Sequence, residues 1–233
     1  VRMLFKKHFF KKTFENYRAI NDFKPFKDPN YYASNSVIFS HFNRRRNNPI
    51  ENMDKSGFKQ YCTIFRDPLS MAISAYFYEI NTNLNFFKWG KKRQLRAIIE
   101  NGFSFKLFKD LALARKQKKY SSLEEYIESR NEIFLDYLPD NLTEDNYKKY
   151  FEENYILLGI SENISATLEL LSHKINKTFS TDWISKENIG NYDKDRLISD
   201  HVKLRFISRN KLSYKIYNFA KEKVSEELTS LQS

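Results

Sequence analysis

The sequence predicts an α/β fold: a central parallel sheet with helices on both of its faces, a three-layer sandwich. Three short runs rich in β-branched and aromatic residues, 36–42, 60–65 and 155–160, read as strands. Helical patterns lie between the second and third of them, and strands joined through helices pair in parallel and are covered on both faces. The 233 residues include only 5 Gly and 5 Pro, which disfavours long flexible linkers and glycine-rich repeats. The expected organisation is one domain, 1–233, with no internal repeat.

Each element has its own signal. Leu4, Phe5, Phe9, Phe10, Phe14 and Tyr17, with lysines between them, predict an amphipathic helix over 2–20. Pro25, Pro29 and their polar neighbours make 22–35 a loop, and Ser36-Val-Ile-Phe-Ser-His-Phe42 reads as a strand that leaves through the basic loop Arg44-Arg-Arg-Asn-Asn-Pro49. Gln60-Tyr-Cys-Thr-Ile-Phe65 is a second strand, and it feeds directly into a helix running from Pro68 to Glu79. Asp67 suits the cap of that helix and Pro68 its first position, where a missing N–H costs nothing. Leu123–Glu128 and Asp145–Phe151 read as helices, the second with a capping region from Thr143 to Asp145. Tyr155-Ile-Leu-Leu-Gly-Ile160 is the third strand, followed by a helical pattern over Ala166–Leu171. Arg196 to about Leu228 reads as helix with a break near Ser208, and the one candidate hinge is Arg115–Lys119.

Lys and Arg number 40 against 29 Asp and Glu, a net charge of +11, and 16% of the chain is aromatic. That aromatic content argues against disorder. The charge suits an anionic partner: nucleic acid, an acidic membrane surface, a phosphorylated cofactor or an acidic polysaccharide. It equally suits compositional bias with lysines on solvated helix faces. No apolar run approaches a membrane span, and Val1–Lys12 mixes charge through its apolar positions, unlike a secretory signal. The single cysteine, Cys62, excludes an internal disulfide framework and a cysteine-based zinc cluster. Four scattered histidines do not make a metal site, so no metal is expected.

The strand, turn and helix over 61–79 is the most informative stretch. Ligands bind beyond the carboxyl ends of strands in α/β sheets, and a helix start there favours anions. Arg66 stands at that strand end, and Ser70, Ser74 and Tyr78 recur every four residues on one helix face. A guanidinium fork with a neighbouring serine hydroxyl can hold a phosphate monoester. The alternative is that Arg66 pairs with an acidic neighbour and the serines are small residues in a packed helix.

Arg66-Asp-Pro, Ser74, Tyr76 and Tyr78 together resemble the 3′-phosphate-binding motif of sulfotransferases that use 3′-phosphoadenosine 5′-phosphosulfate, PAPS. Ile156–Asn163 leading to Leu168–Leu171 is similar to a later strand and helix of the membrane-associated carbohydrate sulfotransferases and their bacterial relatives. Ser36–Phe42 is similar to the strand that carries a histidine in that group, and Asn210 with Tyr217 is weakly similar to its C-terminal helix. The resemblance runs from about residue 36 to 220. It implies a fold like that of the P-loop nucleotide kinases and transfer of a sulfuryl group from PAPS to a hydroxyl of a carbohydrate or related glycan, with adenosine 3′,5′-bisphosphate as the other product.

The resemblance also implies site residues. Arg66 and Ser74 would bind the 3′-phosphate, and Lys186 and Asn188, in a polar loop after Trp183, would touch the cofactor. His41, at its strand end, is the candidate general base, since an imidazole near its ordinary pKa can take a hydroxyl proton. The other reading of His41 is an ordinary, partly exposed histidine. Arg44, Arg45 and Arg46 are candidates for an anionic group on the acceptor, or a solvated run. Two departures stand out. Met71 replaces a basic residue common in the group, and the chain has no lysine-bearing loop of the Pro-Lys-[Thr/Ser]-Gly-[Gly/Thr]-Thr-Ser type, which wraps the 5′-phosphosulfate. The expectation is that this loop and its strand precede Val1, leaving 1–233 N-terminally incomplete.

A competing class is a non-catalytic basic module for nucleic acid or acidic polysaccharide, supported by charge and aromatic content. Aromatics at core-like spacings and the absence of a nucleic-acid motif speak against it, so no nucleic acid partner is expected. A kinase is disfavoured by the lack of a Walker-type phosphate loop. Sequons at Asn141, Asn163 and Asn176 suit a secretory lumen, yet they arise by chance in an Asn-rich chain. With one cysteine and no anchor, the expected place is the cytoplasm of a bacterial-type cell.

Overall fold

A computed structural model describes residues 61–86, 122–176 and 198–232. These residues are mixed α/β, mostly helical, with one parallel sheet of two strands. They group into two compact units that interleave along the chain. The first holds 61–68, 132–176 and 210–232, and the second 69–86, 122–131 and 198–209.

In the first unit β1 (Tyr61–Phe65) pairs in parallel with β2 (Tyr155–Ile160), from Tyr61 against Tyr155 to Phe65 against Ile160. A register shift between Tyr61 and Cys62 leaves Ile156 as the extra residue of a bulge. β2 is buried on both faces from Leu157 through Ile160, the pattern of a strand covered on each side. Along β1, Tyr61 and Phe65 are buried on one face, while Cys62 and Ile64 on the alternate face are partly open. The predicted strand 36–42 and helix 2–20 lie outside the described residues.

α1 (Pro68–Phe86) starts two residues after β1, and the helix runs on past the expected Glu79. α2 (Leu123–Glu128) matches its prediction, and Ser122 caps it by accepting the Glu125 amide at 3.1 Å. α3 (Tyr147–Asn154) begins later than predicted. Asn146 precedes it without capping it, because its Oδ1 accepts the Thr143 amide at 2.8 Å and closes the preceding turn. After β2, a 3₁₀ turn (Ser161–Asn163) leads into α4 (Ile164–Lys174), capped by the Asn163 side chain on the Ala166 amide. The C-terminal break lies at Asn210, two residues past the expected place, between α5 (Asp200–Arg209) and α6 (Lys211–Gln232).

The core of the first unit is aromatic and aliphatic. Phe65 meets Phe134 at 5.0 Å and Phe151 at 5.8 Å between ring centroids, and Tyr147 meets Phe219 edge-on at 5.8 Å. Leu212, Ile216, Phe219, Ala220 and Val224 recur at helical spacing and form the buried stripe of α6. Among the described residues the fully buried polar side chains are Asn210, Ser213 and Thr167, and each makes hydrogen bonds within this unit. Glu132, at φ 39°, turns its carboxylate onto the start of α6, where Oε1 accepts the Leu212 amide and Oε2 the Ser213 amide at 3.0 and 2.8 Å. Two orphan donors of the longest helix are thus satisfied from a loop about 80 residues earlier. Asn210 Oδ1 accepts the Ile133 amide at 2.9 Å and completes the knot.

The second unit packs α2 on α5. Val202 and Phe206 are buried, as are Tyr126 and Ile127. Tyr126 meets Tyr76 of α1 at 5.2 Å and carries the Arg130 guanidinium 4.2 Å above its ring. Glu128 pairs with Arg205, and its carbonyl accepts from Arg209. The Ser199 amide donates to Glu124 Oε1 at 2.7 Å, and hydrogen bonds from Ser199, the backbone one first, hold the Glu124 carboxyl below its ordinary value.

Candidate site at the carboxyl ends of the strands

β1 and β2 end together, with Phe65 opposite Ile160, so the turns that leave them emerge side by side. Parallel pairing puts both carboxyl ends on one edge, where ligands of α/β sheets collect. Arg66 and Asp67 leave β1, and Ser161 and Glu162 leave β2. The two turns are tied: the Asp67 amide donates to Glu162 Oε1 at 2.9 Å, and the Ser161 hydroxyl donates to Glu162 Oε2 at 3.2 Å. Glu162 therefore bridges residues 95 apart in sequence.

Tyr217 of α6 closes the edge from the helix side. It is 8% exposed, and its phenol is pushed up to about 12 by burial first, then by the negative charges of Glu162 and Asp67. The phenol thus stays neutral at physiological pH and can serve as a donor or acceptor without adding charge. Among the described residues Arg66 makes no ion pair and no hydrogen bond, and it is half-exposed. The alternative in which Arg66 is spent on an acidic neighbour does not hold among these residues. Ser74, in the second turn of α1, is also half-buried and makes no hydrogen bond among the described residues.

Arg66 belongs to the first unit and Ser74 to the second. His41, Arg44, Arg45, Arg46, Lys186 and Asn188 lie outside the described residues. Asn210 and Tyr217, singled out by a weak similarity, are both buried, Asn210 in the α6 knot and Tyr217 beside Glu162. Glu162 and Glu132 are the residues that sequence reasoning missed. An acidic side chain just past a strand or in a loop carries no local signal for an acceptor role met so far along the chain. Among the described residues, no group of three or more His, Cys, Asp or Glu side chains could hold a metal ion. Nor is any helix among them long and apolar enough to cross a membrane.

No family model, no curated protein and no solved structure matches the chain.

Proposed function

We propose that the chain is a sulfotransferase that uses PAPS and acts on a hydroxyl of a carbohydrate or related glycan. The observation that carries this reading is the Arg66 guanidinium, uncommitted among the described residues, at the carboxyl end of a parallel strand that turns at once into a helix. A phosphate monoester is the ligand such a fork and helix start suit best. The resemblance assigns the second contact to Ser74, whose hydroxyl makes no hydrogen bond among the described residues. The parallel β1–β2 pair and the Arg66-Asp67-Pro68 turn also support a fold like that of the P-loop nucleotide kinases.

The roles follow from charge and proton chemistry. Arg66 and Ser74 bind the 3′-phosphate, with Lys186 and Asn188 as further cofactor contacts. Arg44, Arg45 and Arg46 attract an anionic acceptor, and His41 takes the proton of the acceptor hydroxyl as its oxygen bonds to sulfur. PAPS supplies the activated sulfuryl group, whose bond to the phosphate oxygen breaks in the same transfer.

Calorimetric titration with adenosine 3′,5′-bisphosphate, with adenosine 5′-monophosphate as the control, tests the reading. The expected result is a preference for the 3′-phosphorylated nucleotide that Arg66→Ala weakens by about 2 kcal/mol, the usual worth of a charge-assisted contact. Equal affinity for the two nucleotides, or no effect of Arg66→Ala, overturns it. Steep salt dependence with no such preference points instead to a basic module for nucleic acid or acidic polysaccharide.

A further inference from the structure

Glu162 holds a place that its own strand does not need. Its carboxylate reaches across from the end of β2 and accepts the backbone N–H of Asp67, the residue between Arg66 and the first residue of α1. That peptide group sets the direction in which β1 turns, and hence the direction in which the Arg66 side chain leaves the strand end. Ser161 steadies the second carboxylate oxygen, and the buried Tyr217 lines the same edge. A guanidinium with no ion pair among the described residues has little else to orient it, so the turn beneath it decides where it points.

We propose that Glu162 is the positioning residue of the Arg66 anion site: from the neighbouring strand end it clasps the Asp67 amide and so fixes the turn that presents the arginine. The proposal rests on the reading of Arg66 as a phosphate ligand. It makes an unusual demand of charge. A carboxylate near a phosphate site weakens anion binding by Coulomb repulsion, so Glu162 is expected there only if its hydrogen bond matters more than its charge.

The two contributions separate in three variants of the full chain. Glu162→Gln keeps an acceptor oxygen for the Asp67 amide and removes the charge. Glu162→Ala removes both, and Glu162→Asp keeps the charge while withdrawing the oxygen by one methylene. Each is titrated with adenosine 3′,5′-bisphosphate and 5′-monophosphate by calorimetry. Each is also titrated with inorganic phosphate while the Arg66 Nε–H signal is followed by NMR. Thermal midpoints confirm that each variant is folded at the temperature used, and Glu162→Asp, the mildest change, stands in should Glu162→Ala fail to fold.

Positioning predicts that Glu162→Ala and Glu162→Asp lose the 3′-phosphate preference by roughly tenfold, the scale of one displaced charge-assisted contact, while Glu162→Gln matches or exceeds the wild type. The Arg66 response to phosphate should weaken in the same two variants and persist in the third. An Ala variant that binds as well as or better than the wild type overturns the proposal, as does a Gln variant as weak as Ala. Wild-type protein whose Arg66 signal responds to phosphate without preferring the 3′-phosphorylated nucleotide sinks the sulfotransferase reading alone, and the phosphate arm then decides the role of Glu162. No Arg66 response in the wild type overturns both.

Discussion

Thr167 holds Ile160 by both of its peptide groups: Thr167 Oγ1 accepts the Ile160 amide at 3.0 Å and donates to the Ile160 carbonyl at 3.1 Å. The hydroxyl is fully buried and does for the end of β2 what a further strand would do, satisfying a donor and an acceptor at once. Gly159 makes the approach possible. A Cβ there would stand 2.2 Å from Thr167 Cγ2, a side chain whose rotamer is already fixed by its two hydrogen bonds.

Gly159→Ala should therefore destabilise the protein by about 1–3 kcal/mol through overpacking. Thr167→Val, of similar shape, should cost about the same by leaving two buried peptide groups unsatisfied. Denaturant unfolding of both variants checks this, and wild-type stability in Thr167→Val would show that water or a shifted backbone replaces the hydroxyl.

Glu132 caps α6 from outside the helix, so its loss should be felt at the helix start. Glu132→Ala is expected to cost about 1–2 kcal/mol, the range of a lost N-cap, with Glu132→Gln retaining part of it. Glu132→Gly separates the terms: it relieves the positive φ of 39° yet still lacks the acceptor, and should remain below the wild type in stability.

On the proposed sulfotransferase reading, Ser74→Ala should weaken binding of adenosine 3′,5′-bisphosphate by about 1 kcal/mol, the worth of a neutral hydrogen bond, and leave the 5′-monophosphate unaffected. The titration described for Arg66→Ala measures it. A larger loss for Ser74→Ala than for Arg66→Ala would reverse the order of charge and hydroxyl that the site chemistry requires.

Alkaline pH should loosen the strand-end edge. Tyr217 rises from its ordinary 10.0 to about 12 in the folded chain, so the folded state keeps a proton that the unfolded chain has lost in between. The contribution is whole below pH 10.0 and is lost as pH climbs towards 12. Denaturation measured across that window should show a shallower fall for Tyr217→Phe than for the wild type.

In the second unit the sign is opposite. Glu124 is held below its ordinary 4.5 by the Ser199 hydrogen bonds, so its contribution is present above that value and is lost as pH falls through the lower, folded one. The Ser199 amide signal should titrate with a midpoint below 4.5 in the wild type and not at all in Glu124→Gln.

Several elements were legible in the chain because their signals are local. Tyr155–Ile160 is an unbroken apolar run between polar neighbours, and Leu123–Glu128 follows a serine cap, so their limits match the sequence reading. Asp67-Pro68 likewise marks the start of α1. The helix expected over Asp145–Phe151 starts later, at Tyr147, because the Asn146 side chain closes a turn onto the Thr143 amide instead of capping.

By itself, the sequence determined the limits of Tyr155–Ile160 and Leu123–Glu128, that the helix after Arg66 starts at Pro68, that Arg66 stands at a strand end, and that a single cysteine allows no internal disulfide. These depend on residues within a few positions of one another, where backbone preference, capping and side-chain period act. Only the tertiary structure decided that β1 pairs with β2, that Glu162 ties the Asp67 turn, and that Glu132 caps α6. Each of those joins residues about 80 to 95 positions apart, and a donor's choice of acceptor at that distance is set by how the elements pack rather than by any pattern along the chain.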